Sequence, residues 1–195
     1  MTAQYRICTA LLLLAAPVAA QHVHGAEPVA VDTALARQLD AVRKATERYR
    51  DHQNAVADGY KLFGSDGPLM GEHWYRPDLV RRHPLDLEHP ATLQYVNING
   101  KRELIGVAFG VYQRPGEPLP EGFSGNQDHW HVHDVTKLAR TLTADRPLLR
   151  RAVERRIADG EMGAGDNRSQ LVMVHAWVWS DNPDGMFAGK NPRIP

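Results

Sequence analysis

His129-Trp130-His131-Val132-His133 sets three imidazoles at alternate positions, bounded by Asp128 and Asp134. Residues two apart on a strand share a face, so the histidines form a row while Trp130 and Val132 point the other way. Neighbours in such a row lie about 7 Å apart at Cα and the outer pair about 13 Å. One ion can therefore take an adjacent pair but not both ends, and His131 belongs to either pair. His175 is the natural third ligand. It sits mid-strand between Met173 and Trp177, where a buried ring needs partners for both nitrogens, and an ion plus one acceptor would supply them. His73, in the apolar and aromatic run Met70-Gly71-Glu72-His73-Trp74-Tyr75, is a fourth candidate. Glu72 beside it is a candidate ligand or general base, and His129 an alternate ligand or a support for one. Asp128 and Asp134 flank the row and could orient a ligating ring.

Neutral imidazole suits zinc, copper, iron and nickel alike. Met70 and Met173 close to these histidines tilt the choice toward copper, so copper or zinc leads and iron stays open. The plainer alternative is a solvated row of histidines and a His175 that hydrogen-bonds a carbonyl; His52, His83 and His89 are assigned to such ordinary roles. The set of histidines favours a metal site, because the row and the mid-strand histidine are hard to explain separately.

Other chemistries find less support. The sequence has no Gly-rich phosphate loop, Gly-x-Ser-x-Gly elbow, His-Glu-x-x-His helix or Cys-x-x-Cys-His haem attachment. Its 23 Lys plus Arg balance 23 Asp plus Glu, which gives no electrostatic reason to expect nucleic acid or an anionic membrane as the main partner. With 43% apolar residues and 195 positions, a single globular domain is the expectation.

Residues 1–20 read as a cleaved secretory signal, with Arg6 as the basic start, an apolar run from Ile7 and small residues at Val18-Ala19-Ala20. The run is too short for a membrane span. The product is expected to be periplasmic or extracellular, to acquire any metal there, and to lack a thiol, since the one cysteine, Cys8, lies inside the signal. Residues 21–30 read as a flexible lead-in and residues 31–195 as the folded domain.

The elements that must position the histidines follow from periodicity. From Asp32 to about Phe63, apolar residues recur every three, four or seven positions, which predicts one long amphipathic helix. Gly64 to Pro90 reads as an irregular loop. Leu93–Ile98, Asn99-Gly100 and Lys101–Gln113 predict a type I′ hairpin, with Tyr95 opposite Leu104 and Leu93 opposite Gly106. Gly106, Ala108 and Gly110 leave one face of its second strand nearly bare, which invites something bulky, such as Trp177 or Trp179. Asp128–Asp134 reads as a third strand. A second helix follows, capped by Asp145 with Leu148, Leu149, Ala152, Val153 and Ile157 as its buried stripe. Leu171–Trp179, apolar on both faces, should be a central strand. The fold class is thus α+β, an antiparallel sheet of about four strands packed with a long N-terminal helix and a second helix before the last strand.

Three functions remain open at this stage. The metal can keep an open position for a small-molecule substrate and make the protein an enzyme. It can be carried to a metal-exchange partner by a protein that is not an enzyme. Or the chain binds a small ligand without metal, in a tryptophan-lined cleft. Oligomeric state is not fixed by the sequence.

Overall fold

The computed structural model describes residues 33–63, 68–81, 85–159 and 170–195. The expected signal and lead-in lie outside them. The described chain is α+β, with six strands in one antiparallel sheet of order β1-β2-β3-β4-β6-β5, two more than the sequence suggested. The strands are β1 (Lys61–Leu62), β2 (Glu72–Tyr75), β3 (Thr92–Ile98), β4 (Lys101–Gln113), β5 (His131–Asp134) and β6 (Gln170–Ala176). The two unforeseen strands, β1 and β2, fall at the end of the expected helix and inside the expected loop. The helices are α1 (Thr33–Thr46), α2 (His52–Ala57), α3 (Val135–Leu142) and α4 (Pro147–Ala158).

The single long N-terminal helix is not formed. After α1 the chain tightens into a 3₁₀ turn, Glu47–Arg50, and Asp51 adopts an extended conformation (φ −84°, ψ 105°). The Asp51 carboxylate then accepts the Gln53 N–H at 3.0 Å and so caps α2. The break is compensated by side chains: the Tyr95 hydroxyl donates to the Tyr49 carbonyl at 2.7 Å and the Asn54 amide to the Arg48 carbonyl at 2.8 Å. Hydrophobic periodicity reads through the break, but burial does not follow it: α2 buries Ala55, while Val56 of the expected stripe is 45% exposed.

The hairpin forms as the Asn-Gly signal requires, with Asn99 and Gly100 both at positive φ (53° and 85°) and Ile98 opposite Lys101. Tyr95 does face Leu104, but Leu93 faces Val107 rather than Gly106. A β-bulge at Ile105 inserts one residue and re-phases the rest of β4. Beyond it, Gly106 lies opposite Gln94, and Ala108 opposite both Thr92 and His175. β6 lies between β4 and β5 and is buried along almost its whole length, as its doubly apolar sequence implies.

One sheet face carries Leu93, Tyr95, Val107, Phe109, Val174 and Ala176, which join Leu39 and Val42 of α1 in the main core. The Arg43 guanidinium donating to the Val178 carbonyl (3.0 Å) and the Trp179 indole donating to the Thr46 hydroxyl (2.9 Å) tie α1 to the segment after β6. The other face carries the histidines.

The second helix starts without the expected Asp145 cap: Arg146 holds the cap position and makes no side-chain capping bond. Its apolar stripe is not buried either, since Leu148 is 79% and Leu149 50% exposed. The reason is that α4 packs chiefly on α3 rather than on the sheet.

Gly71 is the position where backbone conformation decides most. Its φ is +68°, and a Cβ there would stand 2.5 Å from the Tyr95 carbonyl oxygen. Gly71→Ala is expected to destabilise the protein by about 2 kcal/mol or more, read as a lower urea midpoint; an unchanged midpoint would contradict this packing.

Candidate metal centre

Strand alternation brings four of the five sequence-nominated histidines to one place. His73 from β2, His131 and His133 from β5 and His175 from β6 line one cavity of about 130 Å³, together with Phe63, Met70, Tyr75, Thr92, Leu138, Leu142, Leu171 and Met173. His175 is central. Its ring centroid lies 5.0 Å from that of His131 and 5.6 Å from that of His73, and His131 lies 4.9 Å from His133.

β3 and β4 lie between β2 and β6, so at the usual strand spacing His73 and His175 start roughly 14 Å apart at the backbone. They meet because the intervening positions carry no bulky side chain. Gly106 and Ala108 occupy β4, and the slender amide of Gln94 occupies β3. The bare face is thus filled by imidazoles and Gln94 at one end and by Leu171 and Met173 over Gly110 at the other, not by a tryptophan ring. Trp177 approaches Gly106 only with its backbone, and its ring packs with Val96, Ile105 and Ile194.

Hydrogen bonds hold three of the rings. His73 Nδ1–H donates to the Gly71 carbonyl at 3.2 Å, which leaves Nε2 with its lone pair. His131 Nδ1 has a longer contact, 3.5 Å, with the His129 carbonyl. His175 Nδ1 lies 3.1 Å from the Gln94 amide nitrogen, which donates to it. Gly71 and Gln94 are therefore part of the site, although neither type announces chemistry in a sequence.

Burial sets the charge state. It pulls His73 down to about 4, against the opposing pull of the Gly71 carbonyl and with help from His133 and His131. His175 is driven well below its ordinary value by burial and then by His73, His131 and His133. Burial also lowers His131 and His133. At neutral pH the cavity holds four uncharged imidazoles.

Not every nominated residue belongs to the cluster. His129 precedes β5, is exposed, and borders a different depression with Asp184 and Met186. Glu72 shares the opposite sheet face with Trp74. The Arg102 guanidinium grips its carboxylate through two bonds of 2.6 and 3.1 Å, and the Trp74 indole donates a third at 2.9 Å. Burial pushes this carboxyl up, but Arg102 and Trp74 outweigh it and hold the group below the usual carboxylate range. The flanking acids have other duties. Asp134 caps α3 by accepting the Lys137 N–H at 2.8 Å, and Asp128 accepts the Phe123 N–H at 3.1 Å. No tryptophan and no carboxylate lines the cavity.

Among the described residues, no three His, Asp or Glu side chains present donor atoms converged closely enough to form a ready coordination shell. Three neighbouring ring pairs, His131–His133, His131–His175 and His73–His175, are nonetheless spaced as adjacent ligands of one ion would be. A tetrahedral shell with nitrogens about 2.0–2.1 Å from an ion places imidazole centroids roughly 5 Å apart, against the 4.9, 5.0 and 5.6 Å found.

The neutral rings fix a pH dependence for the metal-free protein. An unfolded imidazole takes its proton near pH 6.5, whereas folded His73 takes it only near 4. Between these values the unfolded chain binds more protons, so stability is full above about pH 6.5 and falls as pH drops toward 4. His73 alone is expected to remove about 2–3 kcal/mol by pH 4. Urea midpoints at pH 7.5, 6 and 5 should fall in that order, and less steeply in His73→Phe; equal midpoints would show that the rings are not buried neutral.

In comparisons with known proteins the chain matches no family model, no curated protein and no solved structure.

Proposed function

We propose that this protein binds one transition-metal ion, copper or zinc, through His73, His131, His133 and His175. The observation that carries the proposal is the gathering of four neutral imidazoles from three strands in one apolar cavity that contains no carboxylate. Uncharged imidazole nitrogens suit borderline ions, and a site without oxygen anions disfavours magnesium, calcium and manganese. Met70 and Met173 in the same wall add soft sulfur and weight the choice toward copper. Turning the rings from their metal-free orientations would bring the Nε2 atoms of His73 and His131 toward a common point with His175.

Such an ion would supply Lewis acidity if zinc and electron transfer if copper. The protein's own contribution would be a dry cavity with room for a small molecule beside the imidazoles. Acid–base work by Glu72 has no support from the geometry, because that carboxylate is engaged by Arg102 on the far side of the sheet. An enzyme built here would have to move protons through an imidazole. A carrier that hands its ion to a partner is the second reading, favoured specifically by Met70 and Met173, which would help close the shell. In either case the sequence reading of an exported protein implies that the ion is acquired outside the cytoplasm.

The test is elemental mass spectrometry of protein purified from the exported fraction without chelator or affinity tag. Near one equivalent of copper or zinc is expected. His131→Ala and His175→Ala should weaken retention by more than tenfold, on the order of the loss usual for weakened ligand support or greater, whereas His129→Ala should leave it unchanged. A folded protein that takes up none of copper, zinc or iron would overturn the proposal.

A further inference from the structure

We propose that Gln94 is the positioning residue that decides whether His175 shows the cavity a lone pair or an N–H, through two alternative orientations of its side-chain amide. The inference concerns the same site and rests on the metal-binding proposal only for its consequence, not for its geometry.

Gln94 is fully buried at the middle of β3, where an amide is tolerated only if its donors and acceptor find partners. Its two N–H groups do. The amide nitrogen donates to the Met70 carbonyl at 3.3 Å and to His175 Nδ1 at 3.1 Å. Its oxygen does not: Gln94 Oε1 is buried with no hydrogen-bond partner. The oxygen lies against Gly106, where a Cβ would come within 3.2 Å of it, so the absence of a side chain on β4 is what seats the amide.

In this orientation His175 Nδ1 accepts, so the proton of the neutral ring is on Nε2, and His175 presents a donor to the cavity. A ring in that state cannot ligate through Nε2. Turning the amide by half a revolution places Oε1 opposite Nδ1, where it accepts an Nδ1–H and leaves the Nε2 lone pair free. The ring exchanges tautomer through solvent, releasing its Nε2 proton to solvent and taking one from solvent at Nδ1, so its charge does not change. The Met70 carbonyl then faces Oε1 and loses its donor. The observed orientation makes two hydrogen bonds and the turned one makes only one, so the metal-free protein holds the observed orientation.

An occupant of the cavity can reverse that balance. An ion on Nε2 selects the turned amide and the Nδ1–H ring; a small hydrogen-bond acceptor selects the other. Carbonyls already face Nδ1 of His73 and of His131, so His175 is the one ring of these three with a reversible partner. Metal capture is gated at that ring.

Long-range ¹⁵N–¹H correlation spectra of histidine-labelled, metal-free protein at pH 7.5 test this directly, with His175 assigned by comparison with His175→Ala. Wild type should show His175 as the Nε2–H tautomer, and one equivalent of zinc should convert it to Nδ1–H. Gln94→Glu, whose ionised carboxylate can only accept, should show Nδ1–H before any metal is added. Gln94→Met, close in shape and without hydrogen bonds, serves if the glutamate variant fails to fold; it cannot accept an Nδ1–H, so zinc affinity should fall on the order of 10–100-fold. An Nδ1–H ring in metal-free wild type, or an unchanged zinc affinity in Gln94→Met, would overturn the inference. If the tautomer follows Gln94 while zinc moves no histidine signal, the metal-binding proposal fails and the role of Gln94 stands.

Discussion

The constraint on which the cavity depends is the bare face of β4. Side chains three strands apart meet only if nothing rises between them, and Gly106 and Ala108 supply that opening. The bulge at Ile105 gives it the right phase. Without the extra residue, Leu93 would stand opposite Gly106, and the small residues would open toward α1 rather than toward His73 and His175. A Cβ at Gly106 would come 2.9 Å from the Ala176 carbonyl as well as against Gln94, so the same glycine sets the approach of β6 and the space for the amide.

From that opening follows the charge logic. Four imidazoles in an apolar cavity cannot all be protonated, because each charge would lose its hydration and repel the others. They are held neutral, and neutral imidazole is the form that binds metal. The sheet keeps the permanently charged groups apart from them: on β2, His73 points into the cavity while Glu72 and Trp74 point to the other face, where Arg102 neutralises the carboxylate. A one-residue slip of β2 would exchange the two sets.

Much of this was legible in the sequence wherever a signal was local. Asn99-Gly100 specifies its turn through two residues that tolerate positive φ, and the doubly apolar run after Gln170 specifies a central strand. The alternation His131-x-His133 and the mid-strand His175 specify a shared face. Signals that depend on partners far along the chain were not legible. The break at Asp51 is stabilised by Tyr95, more than forty residues away, so periodicity alone could not reveal it. β2 is only four residues long and is held by its pairing with β3, which made its aromatic run look like part of a Gly/Pro loop. His129 followed the alternation on paper, but β5 begins only at His131. Gln94 and Gly71 matter through one amide and one carbonyl, and no spacing rule points to either.

In the proposed function the four imidazoles act together on one ion. X-ray absorption on protein loaded with one equivalent of copper or zinc tests it most directly, because imidazole rings add a distinctive outer-shell scattering to the first-shell nitrogens. Three or four nitrogen donors at about 2.0–2.1 Å with that ring scattering are expected. A shell of oxygen donors without ring scattering, or with only one imidazole, would contradict it.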